Sequence, residues 1–160
     1  MRYDLHCHTL HSDGEKTVKE LLLLAKEANL GGLSITDHDT ISAYPKALTL
    51  AKELSLDVIP GIEISCLQDE KSVHILAYSF STKDEKFTAF IDECCMLRYE
   101  RNLKMLKRFK DYDISITLEE MEEVFDKKMH TIGRPHFAKM LIDKGFASSY
   151  SDAFNRYLAD

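Results

Sequence analysis

Residues 3–39, YDLHCHTLHSDGEKTVKELLLLAKEANLGGLSITDHD, run from a strand-like segment through a helix-like one into a second strand-like segment. Tyr3 to His8 and Gly32 to Thr36 have the short, apolar-rich character of strands. Between them, Thr17 to Leu30 places Val18, Leu21, Leu22, Ala25 and Ala28 on one helical stripe, with Thr17 suited to cap it and Gly31-Gly32 to stop it. The pattern continues downstream. Ser42 to Leu54 predicts a helix whose Pro45 belongs in the first turn, which sets the start near Ala43 or Tyr44. Leu56 to Ser65, broken at Pro60-Gly61, and Val73 to Phe80 predict the third and fourth strands. Strands alternating with helices build a parallel sheet flanked by helices, so the expected class is α/β.

Past Lys83 the periodicity changes. Asp84 to Lys110 is one long charged amphipathic stretch, and Leu118 to Lys128 follows a capping box of Thr117 and Glu120. A further helix is expected from about Pro135 to Lys144, closed by Gly145, and another from Ser151 as cap towards Tyr157. The expected organisation is therefore residues 1–83 as an α/β part and residues 84–160 as a helical segment.

Bulk properties narrow the function classes. With 160 residues, 44% hydrophobic and 30% charged, the chain can bury a core of useful size. A formal net charge of -6 provides no basic field for long duplex nucleic acid, but leaves room for a small anion held locally by metal ions. No apolar run approaches the roughly 20 residues that span a bilayer, so a cytoplasmic protein without a membrane partner is expected. Cys7, Cys66, Cys94 and Cys95 have neither zinc-knuckle spacing nor the density of a disulfide scaffold, and are read as reduced core thiols.

The residues that carry chemistry lie near the ends of the expected strands. His6 and His8 stand two apart on a strand end, where alternating side chains put both imidazoles on one face. Asp13 sits in His11-Ser12-Asp13-Gly14, which would also suit a plain Asx turn. In Thr36-Asp37-His38-Asp39, after the second strand, Asp39 or Thr40 suits the cap of the next helix, Asp37 is a candidate to orient an imidazole, and His38 is the candidate ligand. Glu63 interrupts an apolar strand, where an unpaired carboxylate is costly to bury, so something cationic should face it. His74 taken alone could be a neutral core histidine. Jointly, each of the four strands delivers a His or acid at or near its C-terminal half. Such a mixed set without thiolate fits zinc, manganese or iron.

Thr131-Ile-Gly-Arg-Pro-His136 opens a helix, so Arg134 and His136 stand beside backbone N–H groups that favour anions. A phosphate grip is one reading, with Arg134 binding oxygens bidentately and His136 adding a hydrogen bond or a proton. An ion pair for Arg134 and a packing role for His136 is the other. Arg98 and Arg101, three apart on the long helix, could face the same site, but rank below Arg134 because so charged a helix usually presents such residues to water. His11 and His130 are read as solvated, and Phe87, Phe90, Ile91, Leu97, Met105, Leu106 and Phe109 as helix packing.

With His6-x-His8, Asp13, Thr36-Asp37-His38-Asp39, Gly61-Ile-Glu63, His74 and Gly133-Arg-Pro-His136 in this order, the chain resembles the PHP (polymerase and histidinol phosphatase) superfamily almost end to end. Within it, the Gly-Arg-Pro-His segment looks most like bacterial phosphoesterases that hydrolyse nucleoside 3′,5′-bisphosphates and trim short oligonucleotides from the 5′ end. The resemblance implies a distorted (β/α)7 barrel with a helical insertion, and two or three divalent metal ions (Mn, Zn or Fe) at the strand ends. It assigns His6 and His8 to one metal, Glu63 as a bridge to a second that His74 also binds, and Asp13 with His38 to a third. Arg134 and His136 would contact the scissile phosphate.

Members of this kind continue with another ligand histidine and an Asp-x-His pair, which do not occur before Asp160. The expectation is a barrel incomplete in these residues, belonging to a longer protein or completed by another chain. The leading functional expectation is a metal-dependent phosphoesterase acting on nucleotides or short oligonucleotides. Histidinol-phosphate phosphatase, or a catalytically silent metal-binding or regulatory module, are the alternatives.

Overall fold

The computed structural model describes residues 1–69, 71–126 and 131–158, which form two compact units, Met1–Cys94 and Cys95–Asp160. In the first, β1 (Tyr3–Cys7), β2 (Gly32–Ile35) and β3 (Asp57–Val58) pair in parallel in that order. Tyr3 lies opposite Gly32, and Leu33 opposite Val58. All four residues of β2 are buried. Crossovers are supplied by α1 (Val18–Glu27) and α2 (Tyr44–Leu54). Val18, Leu22 and Ala25 of α1 share one core with Leu33 and Ile35 of β2 and with Tyr44 and Ala47 of α2.

Local chemistry sets the helix ends. The Thr17 hydroxyl accepts the Glu20 N–H at 3.2 Å, and the Glu20 carboxylate accepts the Thr17 N–H at 2.8 Å, the two halves of a capping box. α1 stops short of the expected Leu30 because Asn29 turns to a φ of 54°. Pro45 sits in the first turn of α2, as its fixed φ favours, and Ser55 ends that helix at a φ of 54°. The cap position of α2 is Ala43, so neither Asp39 nor Thr40 caps it. Thr40 donates to Ser42 instead, and Asp39 accepts the Ser65 N–H.

The expected third strand divides at Pro60-Gly61, and its second half reverses the topology. β4 (Gly61–Gln68) and β5 (Lys71–Tyr78) are an antiparallel pair, in register from Gly61 opposite Tyr78 to Gln68 opposite Lys71. The parallel arrangement thus holds for β1 to β3 and not for β5. Apolar alternation such as Ile62/Ile64 against Val73/Ile75 suits either direction, so the sequence pattern did not distinguish them. β4 is tied to the segment after β2 by a parallel bridge between His38 and Glu63, with the Asp39 N–H donated to the Glu63 carbonyl at 3.0 Å.

Tyr44 fastens this junction. Its buried hydroxyl donates to the Ile35 carbonyl and accepts the Gly61 N–H at 2.6 Å, and burial pushes its pKa up to about 12. Gly61 is required there, since a Cβ would stand 2.1 Å from Ser34 Oγ.

The second unit is helical. The C-terminal part of α3 (Glu85–Phe109) leads through a 3-10 turn, Lys110–Tyr112, to α4 (Leu118–Phe125), α5 (Arg134–Asp143), α6 (Tyr150–Ala153) and a π-helical turn, Phe154–Leu158. Phe109, Ile114, Met121, Ile132, Phe137 and Leu141 make its core. The Thr117/Glu120 capping box forms as expected. Lys127 and Lys128 of the expected α4, and His130, lie outside the described residues. Gly145 follows α5 at a φ of 78°. α6 is capped by Ser149 rather than Ser151. Ser149 has the extended backbone of a cap and accepts the Asp152 N–H at 3.1 Å, whereas Ser151 already lies inside the helix. Among the described residues no helix is long and apolar enough to cross a membrane.

Removing the Tyr44 hydroxyl strands the buried Gly61 N–H, so Tyr44→Phe should lower stability by about 1–3 kcal/mol in denaturant unfolding. An unchanged unfolding midpoint would contradict this role.

Candidate metal centre

The elements just described carry four imidazoles to one carboxylate. His6 lies on β1 and His8 just beyond it, His38 follows β2, Glu63 lies on β4, and His74 on β5. In the hairpin register His74 faces Ser65, so Glu63, two residues along on the same face, meets His74 diagonally. Glu63 Oε2 lies 2.9 Å from His6 Nε2 and 3.1 Å from His8 Nε2, and Oε1 lies 2.6 Å from His74 Nδ1. His38 Nδ1 stands 3.8 Å from Oε2. Asp13 joins from the loop after β1, 3.4 Å from His8 Nδ1 and 3.5 Å from His38 Nε2. The rings follow one another in the order His6, His8, His38, His74, with centroids 5.2, 4.9 and 4.8 Å apart.

Three overlapping groups result: His6, His8 and Glu63; His8, Asp13 and His38; and His38, Glu63 and His74. Every residue expected as a ligand is thus brought into one cluster. The sharing of His8 and His38 between groups was not expected. Glu63 is the third residue of β4 and His74 the fourth of β5, so neither stands at a strand's C-terminal end. The expected third strand, Leu56 to Ser65, ends two residues after Glu63, whereas β4 runs on to Gln68.

The electrostatics bear on what this cluster can hold. Burial raises the pKa of Glu63, which is 5% exposed, but the His6 hydrogen bond and the nearby His38 and His74 outweigh it and hold the carboxyl below its ordinary value. Burial also lowers the pKa of His8, against the pull of Asp13. His8 therefore favours its neutral form, which has a single N–H, yet both of its nitrogens face carboxylate oxygens. One lone pair must then oppose a carboxylate. His38 Nδ1 is buried with no hydrogen-bond partner among the described residues. A cation removes both conflicts, and ligands about 2.1 Å from a shared ion stand about 3.0–3.4 Å from one another, as several of these atoms do. The residues present therefore fit divalent metal ions. Cys7 is no competitor, since burial pushes its thiol up to about 12.

The other candidates lie in the second unit. Arg134 opens α5, and the Gly133 N–H donates to His136 Nδ1 at 3.0 Å, leaving Nε2 to carry the proton of the neutral ring. That ring lies edge-on to Phe125. Arg98, expected at a water-facing surface, is 5% exposed and donates to the Ile132 carbonyl at 3.3 Å. The buried Asn102 side chain donates to the same carbonyl at 2.9 Å. The Arg101 guanidinium donates to Asn102 Oδ1 at 3.0 Å. His11 is outside the cluster and hydrogen-bonds Ser42.

Two carboxylates had been given other roles. Among the described residues Asp37 hydrogen-bonds no imidazole: it accepts hydrogen bonds from Thr9 and Ser12. Asp39, at a φ of 55°, accepts the Ser65 N–H at 2.7 Å. Their position beside His38 was the available signal, but spacing does not identify donors that arrive from other strands.

The sequence pattern of the PHP domain matches residues 4–159. The chain is 34% identical over 159 residues to the 5'-3' exoribonuclease Rnm of Escherichia coli, covering 98% of this chain and 54% of that protein. It is 27% identical to the 3',5'-nucleoside bisphosphate phosphatase of Chromobacterium violaceum, covering 97% and 54%. A solved structure from Bifidobacterium adolescentis, described as a candidate metal-dependent phosphoesterase, superposes with a TM-score of 0.85 at 31% identity, over 99% of this chain and 56% of that one. The chain spans about half the length of the curated relatives it matches.

The pKa directions predict a pH dependence for the metal-free chain. A carboxyl held low contributes stability above the ordinary glutamate range and loses it as pH falls through the lowered value. A histidine held low likewise favours folding above its ordinary value and loses that contribution on acidification. Both act in one direction, so melting of the chelated chain should shift to lower temperature on acidification, first as pH falls below the ordinary histidine value of 6.5 and then, for Glu63, below the ordinary glutamate value of 4.5. A melting temperature that rises on acidification would contradict the assignment.

Proposed function

The chain belongs to the PHP domain family, and on that premise we propose that it supplies the metal-binding part of a metal-dependent phosphoesterase acting on nucleotides. The single observation carrying the proposal is the buried Glu63 carboxylate ringed by His6, His8, His38 and His74, with Asp13 completing the overlapping groups. In this reading these residues hold two or three divalent ions, manganese, zinc or iron. Residues 1–83 are the metal-binding part of the barrel and residues 84–160 a helical insertion. The relatives' names, a 5'-3' exoribonuclease and a 3',5'-nucleoside bisphosphate phosphatase, support nucleoside 3′,5′-bisphosphates or RNA taken from the 5′ end as substrates; short oligonucleotides and a cytoplasmic setting belong to the same reading.

When bound, divalent ions supply Lewis acidity, lowering the pKa of a water and neutralising phosphate charge. The chain's own part is to fix where that charge sits. Glu63 draws cations into a buried position, and the imidazoles leave it as the local negative centre. Arg134 suits phosphate oxygens with its planar fork, at a helix start where free N–H groups favour anions. His136 accepts the Gly133 N–H on Nδ1, so its Nε2–H is oriented to donate a hydrogen bond. That tautomer suits a phosphate-binding donor better than a general acid, because an imidazolium would set its Nδ1–H against the Gly133 N–H.

The full-length protein should release phosphate from a nucleoside 3′,5′-bisphosphate, lose this activity to chelators and regain it with Mn²⁺. Glu63→Ala should reduce it by more than the about 10–100-fold typical of residues that only support metal ligands. Full activity in that variant would rule the proposal out. His136→Ala should raise KM more than it lowers kcat, and an equal loss in kcat alone would instead assign His136 to proton transfer.

A further inference from the structure

Asp37 is a carboxylate only 1% exposed that belongs to none of the metal-ligand groups. Its Oδ1 accepts the Thr9 N–H at 2.7 Å and the Ser12 hydroxyl at 2.7 Å, and its Oδ2 accepts the Thr9 hydroxyl at 2.6 Å. Thr9 and Ser12 are themselves fully buried. In the chain they alternate with the ligand residues, Thr9 following His8 and Ser12 preceding Asp13. The loop is also folded on itself. The Ser12 and Gly14 N–H groups both donate to the Thr9 carbonyl at 3.0 Å, and a Cβ on Gly14 would stand 2.3 Å from the His8 carbonyl oxygen. The Thr9 and Ser12 side chains are therefore turned to Asp37, with Ser12 Oγ also 3.4 Å from His8 Nδ1 and from Asp13 Oδ1, while His8 and Asp13 meet His38.

We infer that Asp37 is a positioning residue that fixes this loop so that His8 and Asp13 meet His38 as one preformed metal-binding group. The inference rests on the metal reading above. Asp37 immediately precedes His38, so one short backbone segment carries both the loop's anchor and the group's third ligand. The charge and valence of the side chain matter as well. Three donors converge on two oxygens, and an asparagine would present an NH2 group in place of one of them. Thr9 already accepts the His11 N–H at 3.1 Å, so its hydroxyl proton would be left needing another acceptor. The group of His38, Glu63 and His74 takes nothing from this loop, which gives the inference a site-selective consequence.

The test is a Zn²⁺ titration of the chelator-stripped full chain, followed through the long-range imidazole 1H–15N resonances, which report each histidine separately. In Asp37→Asn the midpoint for His8 should move to about 10–100-fold higher Zn²⁺, while that for His74 moves by less than about threefold. Equal shifts at both residues, or none at either, would overturn the inference by assigning Asp37 to general stability. If Asp37→Asn does not fold, Ser12→Ala removes one donor without changing charge. It should give the same order of effects at smaller size, and equal shifts there would overturn the inference too. A wild-type chain that binds Zn²⁺ but, in its full-length form, hydrolyses no nucleotide would contradict the proposed function and leave this inference standing.

Discussion

Glu63 is the constraint around which the first unit is organised. It follows two buried residues on β4 and is itself 5% exposed, and a carboxylate in that position is costly unless charge is placed against it. The partners come from every side: His6 and His8 from the end of β1, His38 from the segment after β2, and His74 from the hairpin partner β5. The backbone frame serves the same end. The His38–Glu63 bridge, the Asp39 bond to the Ser65 N–H and the Tyr44 hydroxyl on Gly61 each hold β4 where its carboxylate can be met. Even so, protons alone do not satisfy the cluster, because His8 faces carboxylates with both nitrogens and His38 Nδ1 has no hydrogen-bond partner among the described residues. Cations resolve what the hydrogen bonds cannot.

The sharing of residues has an energetic consequence. Glu63, His8 and His38 each belong to two of the three groups, so an ion in one changes the charge felt by the next within a few ångströms. Ions in neighbouring groups are then coupled in charge, while Asp13 and His74, each belonging to a single group, distinguish the group at the loop from the group on the hairpin. A rigid frame suits such a site, since preformed ligands lose little freedom on binding. The buried donors on Asp37 and the folded loop from Thr9 to Gly14 supply that rigidity.

Much of this was legible in the sequence, and the limits are physical. Helix starts at Thr17 and Thr117, the first-turn Pro45 and the stop at Gly145 depend on neighbouring residues, which a sequence displays directly. The convergence of the candidate ligands was legible because several improbable residues coincide, above all an acid in the apolar run around Glu63. The direction of β5 was not, since Val73 and Ile75 alternate alike in parallel and antiparallel strands. The roles of Asp37 and Asp39 were hidden for a related reason: their donors, Thr9, Ser12 and Ser65, are more than twenty residues away in the chain. Arg98 was misjudged because the charge of α3 says nothing about which turn is covered, and it is the Ile132 carbonyl that receives it. Ser149 and Ser151 are equally good caps by type, and only the backbone at Ser149 selects between them.

The central claim is that Glu63 is a metal ligand shared between ions. It is tested most directly by anomalous diffraction from crystals of the Mn²⁺-loaded protein, collected at the metal edge. Peaks within about 2.5 Å of the Glu63 carboxylate, one towards His6 and His8 and another towards His38 and His74, are the predicted result. A fully loaded protein whose metal peaks all lie away from Glu63 would contradict it.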